Sequence, residues 1–214
     1  MEIDSIRKKH GGAVTFAMEG FIGQWEEVRT ELIRKSIHFL IALTPSLASL
    51  DRGFTVVALA AGTLVYAYAE SARFAGVKVP IISAVTAIAS RDRDRGRFVL
   101  GPVTLGLGAM LSLLLYPDPA ASIAIYALAF GDGLASLVGK LMGRIRPAFL
   151  LGKSLEGSAA CFIAVGLVTY RITGNVRTAF FAALVATFVE ALPLEDYDNI
   201  ALPLAVGFTV QLLA

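Results

Sequence analysis

The strongest constraint on how this chain can fold is a succession of apolar runs, several of them about as long as a bilayer is thick, with ionisable residues at their ends and, in a few places, inside them. A hydrocarbon core about 30 Å thick needs about 20 apolar residues at a helical rise of 1.5 Å each. Such runs are expected over about Glu31 to Leu50, Phe54 to Phe74, Phe98 to Leu115, Pro119 to Met142, Leu155 to Tyr170, Arg177 to Leu192 and Asn199 to Leu213. Of the 214 residues, 56% are hydrophobic and 17% charged, where soluble domains carry about 25% charged residues. The expected fold is an all-α integral membrane protein with about seven transmembrane helices. The apolar run Ile81 to Ser90 is only about half a span and fits a short re-entrant or interfacial helix.

Residues 1–30 alternate charges with Phe16, Phe21, Ile22 and Trp25, which suits an interfacial segment ahead of a single transmembrane domain at 31–214. No cleavable signal is expected, because the opening Met1 to His10 lacks a long apolar run. Cys161 is the one cysteine, so no intramolecular disulfide and no thiolate metal cluster can form; it is expected to pack in the core.

Function is concentrated between Phe130 and Ser158, where carboxylates, a lysine, hydroxyls and glycines crowd together. Asp132 follows the apolar run Ile123 to Phe130, and a carboxylate at mid-membrane costs about 2.5 to 3.5 kcal/mol, so it needs partners. On a helix it shares a face with Ser136, Gly139 and Gly143, a narrow stripe that lets neighbouring backbones approach. Gly152-Lys153-Ser154 superficially suggests a nucleotide P-loop, but that motif requires a glycine where this chain has Pro147. What remains is a flexible Gly152, a Ser154 able to cap the next helix, and exposed N–H groups beside the Lys153 ammonium, together suited to phosphate. A basic loop at the membrane edge is the plainer alternative.

Further polar residues sit near helix ends. Glu31, Arg34, Lys35 and His38 fall within helical reach of one another and make one polar face, although Arg34 and Lys35 could instead snorkel to headgroups. Glu70 and Arg73 lie three apart near the end of a span, as a local ion pair would. Glu190, Glu195, Asp196 and Asp198 are more carboxylates than capping requires, and oxygen ligands are what Mg2+ selects.

The pair Gly131-Asp132-Gly133-Leu134-Ala135-Ser136-Leu137-Val138-Gly139 and Gly152-Lys153-Ser154-Leu155-Glu156-Gly157-Ser158 resembles the signature of the CTP-dependent polyprenol kinases, the family of dolichol, phytol and farnesol kinases and the CTP-using diacylglycerol kinase. Arg34-Lys35-Ser36-Ile37-His38, Glu70-Ser71-Ala72-Arg73 and Glu190 through Asp198-Asn199 to Pro203 extend the likeness over most of the chain after residue 30. The resemblance implies a transmembrane catalytic domain that moves the γ-phosphoryl of CTP to a lipid hydroxyl. Its partners would be CTP, a membrane lipid alcohol and the bilayer; self-association is compatible with this, and no nucleic-acid partner is expected. Catalytic roles are then expected for Asp132, Lys153, His38 and Glu70, and nucleotide contacts for Gly131, Gly152, Lys153, Ser154, Glu156, Gly157 and Asn199. Mg2+ would be held by Asp132, Asp198 and Glu190. Two other readings stay open, a CTP:phosphatidate-type cytidylyltransferase and a small membrane transporter.

Orientation follows from the basic residues. With the N-terminus inside and about seven spans, only Arg52, Arg171 and Arg177 of the 19 Lys and Arg lie outside. That places His38, Glu70, Asp132, Lys153, Glu156, Glu190 and Asp198 on the cytoplasmic face, provided that Ile81 to Ser90 does not cross.

Overall fold

The computed structural model describes residues 28–77, 79 and 96–213, so residues 1–27 of the expected interfacial segment and the run Ile81 to Ser90 lie outside the described residues. All seven expected spans are helical, and no strand occurs among the described residues. Helix α1 (28–40) passes through a 3-10 turn at Ile41–Leu43 into α2 (Thr44–Leu50). Then come α3 (Arg52–Phe74), α4 (Gly101–Leu115) and α5 (Ala120–Tyr126). A π-helical turn at Ala127–Asp132 continues α5 into α6 (Gly133–Leu141), giving one rod of 22 residues. The chain closes with α7 (Leu155–Thr173), α8 (Val176–Ala191) and α9 (Asp198–Leu213). Among the described residues, α3, the α5–α6 rod and α7 are long and apolar enough to cross a membrane, and α4 is a shorter apolar helix of 15 residues.

The helix ends follow from local chemistry. Asp51 Oδ1 accepts from the Phe54 N–H at 2.8 Å to cap α3, and Asn175 Oδ1 accepts from the N–H groups of Arg177 and Thr178 at 2.9 and 3.2 Å to cap α8. Ser154 Oγ does the same for α7 through the Gly157 N–H at 3.1 Å. Arg52 crosses to α4 and donates to the carbonyls of Leu113 (3.0 Å from Nε) and Tyr116 (2.6 Å), satisfying acceptors that the helix end leaves open.

Packing is inverted relative to a water-soluble bundle. The centre is rich in small residues, with Ala109, Ala121, Ala182, Ala183 and Ala186 buried around Ile123, Leu202 and Val206. Large apolar side chains point outward instead, Leu50 being 84% exposed and Leu64 70%. Small residues between helices allow close backbone approach where no hydrophobic effect drives association. The tightest case joins α4 to α9: a Cβ on Gly108 would stand 2.0 Å from the Asn199 carbonyl oxygen. Nearby, the Tyr116 hydroxyl donates to the Leu204 carbonyl at 2.7 Å. Gly108→Ala must therefore push α9 away, and is expected to destabilise the fold by about 1–3 kcal/mol, as overpacking does. Thermal unfolding of the purified protein in detergent checks this, and an unchanged midpoint would mean that α4 and α9 are not in contact.

Candidate active site

A cavity of about 320 Å³ opens where α1, α6, α7, the end of α8 and the start of α9 converge. Its walls are Glu31 and Arg34 of α1; Ala135, Ser136, Gly139 and Lys140 of α6; Arg146, Lys153 and Ser154 from the α6–α7 loop; Gly157 and Ser158 of α7; and Glu190, Leu192, Pro193, Glu195 and Asp198.

The loop is built to bring the start of α7 against α6. Gly152 adopts φ +93°, a left-handed conformation that residues with a Cβ rarely take. Arg146 donates to the carbonyls of Gly152 (2.7 Å) and Gly139 (3.0 Å). The Glu156 carboxylate accepts from the N–H groups of Arg144 (3.0 Å) and Ile145 (3.2 Å), clasping the loop from the other end. Close packing does the rest: a Cβ on Gly157 would fall 2.6 Å from the Ala135 carbonyl oxygen. The small-residue stripe expected after Asp132 thus has a concrete use, since Gly139 and Gly143 leave room for Ser154.

Charges around the cavity are paired across helices. Lys153 Nζ lies 2.6 Å from Glu190 Oε1. Burial pulls the Lys153 ammonium down, but the Glu190 carboxylate outweighs this and leaves it above its ordinary value, hence charged. Glu31 joins Arg34 (2.6 Å) and Lys140 (3.0 Å), tying α1 to α6. At the cavity rim, burial and then the Asp132 charge push the Asp198 carboxyl up to about 7. Asp132 itself is buried; it pairs with Lys35, and His38 Nδ1 stands 3.1 Å from its Oδ2 without the alignment for a hydrogen bond.

Of the residues expected at the site, Lys153, Ser154, Gly157, Glu190 and Asp198 line the cavity. Asp132 and His38 do not; they are buried one to two turns along their helices from Ser136 and Arg34, which do. Gly131 packs against α7, where a Cβ would meet Val165 at 2.8 Å. Asn199 donates to Thr104 Oγ1 at 2.9 Å and holds α9 to α4. Glu70 is bound by Arg73 (2.7 and 2.6 Å) and the Val99 N–H (2.9 Å), away from the cavity wall. Lys35 does not snorkel but is fully enclosed as the Asp132 partner. Sequence reasoning did not place Arg34, Lys140 or Arg146 at the cavity; only the i, i+3, i+4 spacing around Glu31 hinted at the first. Among the described residues no three of His, Cys, Asp and Glu group closely enough to cage a metal ion.

An uncharacterised protein of Methanocaldococcus jannaschii is 30% identical to this chain over 136 residues, 62% of the chain and 68% of that protein. A probable phytol kinase of Triticum aestivum is 26% identical over 181 residues, and the dolichol kinase of Bos taurus 28% identical over 200 residues, 69% and 81% of this chain respectively. The chain belongs to the polyprenol kinase family. It spans only part of these named family members, 60% of the wheat protein and 36% of the bovine one. No family model and no solved structure matches it.

The Lys35–Asp132 pair of this polyprenol kinase relative is accessible to a double-mutant cycle. Removing one partner from a buried ion pair strands the other, at about 3–5 kcal/mol. Lys35→Met and Asp132→Leu should each lower the unfolding midpoint strongly, and the double variant should recover much of the loss. Additive effects in thermal denaturation would show that the two side chains are not coupled.

Proposed function

We propose that this chain is a lipid-alcohol kinase seated in a membrane, which transfers the γ-phosphoryl group of CTP to the hydroxyl of a polyprenol or related isoprenoid alcohol on the cytoplasmic face. The observation that carries this reading is the cavity of a polyprenol kinase family member in which the start of α7 and the cations Arg34, Lys140, Arg146 and Lys153 stand opposite Glu190 and Asp198. Phosphoryl transfer needs positive charge on the phosphates and alignment more than covalent chemistry by the protein. The Lys153 ammonium suits the triphosphate, whereas the N–H groups expected to bind it are taken within the protein: Leu155 donates to the Ile145 carbonyl at 2.9 Å, Gly157 to Ser154 Oγ at 3.1 Å and Ser158 to the Ser154 carbonyl at 3.0 Å. The outward-facing Leu and Phe side chains favour lipid surroundings, and CTP as donor rests on the family resemblance.

Mg2+ is proposed to arrive with the nucleotide. Burial and then the Asp132 charge make Asp198 costly to ionise, and a divalent cation beside it would offset that cost. One or two carboxylates plus phosphate oxygens are the usual Mg2+ ligand set, so a three-residue cage is not required. When bound, the ion would neutralise charge developing on the phosphates. Glu190, also expected at the metal, already has one oxygen on Lys153.

The test supplies CTP labelled at the α or the γ phosphorus with phytol, farnesol, dolichol or phosphatidate, and extracts the lipid. Label should reach lipid only from the γ position and only with an alcohol; transfer of α label to phosphatidate would replace the kinase by a cytidylyltransferase. In the same assay Lys153→Ala should lower kcat/KM for CTP about 100-fold, as loss of a preorganised charge on the phosphates does. Orientation is tested separately with an impermeant thiol reagent. A cysteine at Arg146 should react only from the cytoplasmic side and one at Asn175 only from the other, and reaction of both from one side would overturn the proposed topology.

A further inference from the structure

Two residues that line the cavity, Glu190 and Ser158, each carry a buried oxygen with no hydrogen-bond partner in the protein. Glu190 is 2% exposed; its Oε1 accepts from Lys153 Nζ at 2.6 Å, while its Oε2 is enclosed and unpartnered. Ser158 of α7, 5% exposed, lines the same cavity, and its hydroxyl is also unpartnered. Helical Ser and Thr hydroxyls commonly return to the carbonyl one turn back. Ser112 does so to Gly108, Thr187 to Ala183 and Thr209 to Ala205, each at 2.8 Å. Ser158 does not: the Ser154 carbonyl one turn back accepts from the Ser158 N–H at 3.0 Å, and the hydroxyl has no partner in the protein. Thr169 shares this state but does not line the cavity.

The two oxygens define what could complete them. A carboxylate oxygen requires a donor, whereas a serine hydroxyl can both donate and accept. An alcohol hydroxyl has both functions, so its chemistry matches both oxygens. A phosphate oxygen brings no donor and would meet the Glu190 charge at close range, so phosphates belong with the cations of the cavity. Because Lys153 holds Glu190 Oε1, the carboxylate is fixed in place beside the phosphate-binding cation.

We propose that Glu190 Oε2 and Ser158 Oγ form the subsite for the acceptor hydroxyl, which donates to the carboxylate and accepts from the serine; this assignment rests on the lipid-alcohol kinase reading. In the transfer, the alcohol oxygen forms a bond to the γ-phosphorus and the bond from that phosphorus to the β–γ bridging oxygen breaks. CDP leaves with the electron pair, and the hydroxyl proton passes to Glu190 Oε2 and on to water. Glu190 is a catalytic residue in this scheme because it touches the reacting hydroxyl.

The experiment uses the full chain in detergent with phytol, farnesol or dolichol, whichever the wild type phosphorylates fastest. Ser158→Ala should raise KM for that alcohol about 10-fold, as loss of one buried hydrogen bond does, with KM for CTP unchanged. Its thermal midpoint should not fall, since an unsatisfied hydroxyl has been removed from the interior. Glu190→Gln should lower kcat about 10²- to 10⁴-fold, the range for loss of a positioned proton acceptor. Wild type should also bind the alcohol in preference to the hydrocarbon of the same skeleton, and Ser158→Ala should lose that preference. Unchanged alcohol KM in Ser158→Ala together with unchanged kcat in Glu190→Gln would overturn the subsite while leaving the kinase reading intact. A lowered midpoint with both KM values raised would likewise overturn it, by assigning Ser158 to the fold. If the wild type phosphorylates none of the three alcohols, the kinase reading falls and the subsite with it.

Discussion

A carboxylate buried in an apolar rod cannot be left alone, and the placement of Asp132 organises the site half of the molecule around that requirement. Its partner, Lys35, comes from α1, nearly 100 residues earlier in the chain. Meeting that demand fixes how α1 docks on the α5–α6 rod, with Phe39 against Gly133 and its ring 6.0 Å from that of Phe130. Asp132 stands at the last position of the π-helical turn, a distortion that recurs at functional sites because it redirects the side chains around it. Once α1 is held there, Glu31, one turn before Lys35, and Arg34, next to it, arrive at the cavity.

The other half of the site depends on the closeness of α6 and α7. Glycine at 139, 143 and 157 removes the side chains that would separate the helices, and Arg146 and Glu156 pin the connecting loop by its own carbonyl and N–H groups. The start of α7 therefore faces the cavity without help from a long glycine-rich loop of the P-loop type. That is economical in a small chain.

The cavity is close to charge balance, with Arg34, Lys140, Arg146 and Lys153 facing Glu31, Glu190, Glu195 and Asp198. Balance matters in a low-dielectric setting, where an excess of either sign would destabilise the empty site. It also means that a polyphosphate must enter with compensating cations, or exchange for carboxylates already engaged. Glu31 and Glu190 hold their cations at 2.6 to 3.0 Å, which fixes Arg34, Lys140 and Lys153 at the cavity wall.

The seven helices were legible in the sequence to within a few residues, because each is a run of apolar side chains ended by a local signal such as Asp51, Ser154, Gly174 or Asn175. Transfer free energy and capping act over one helix at a time, so they can be read without knowing the neighbours. The stripe of Ser136, Gly139 and Gly143 was readable for the same reason. The pairing of charges was not. Glu70 and Glu156 are carboxylates like Glu190 and Asp198, yet they tie Arg73 and Val99 and the α6–α7 loop, respectively, and the polar Asn199 ties α4, while Glu190 and Asp198 line the cavity. Which carboxylate meets which lysine is decided by how helices far apart in the chain pack against one another, and that packing is set by shape and by the demand of buried charge for a partner, neither of which is written in any single segment.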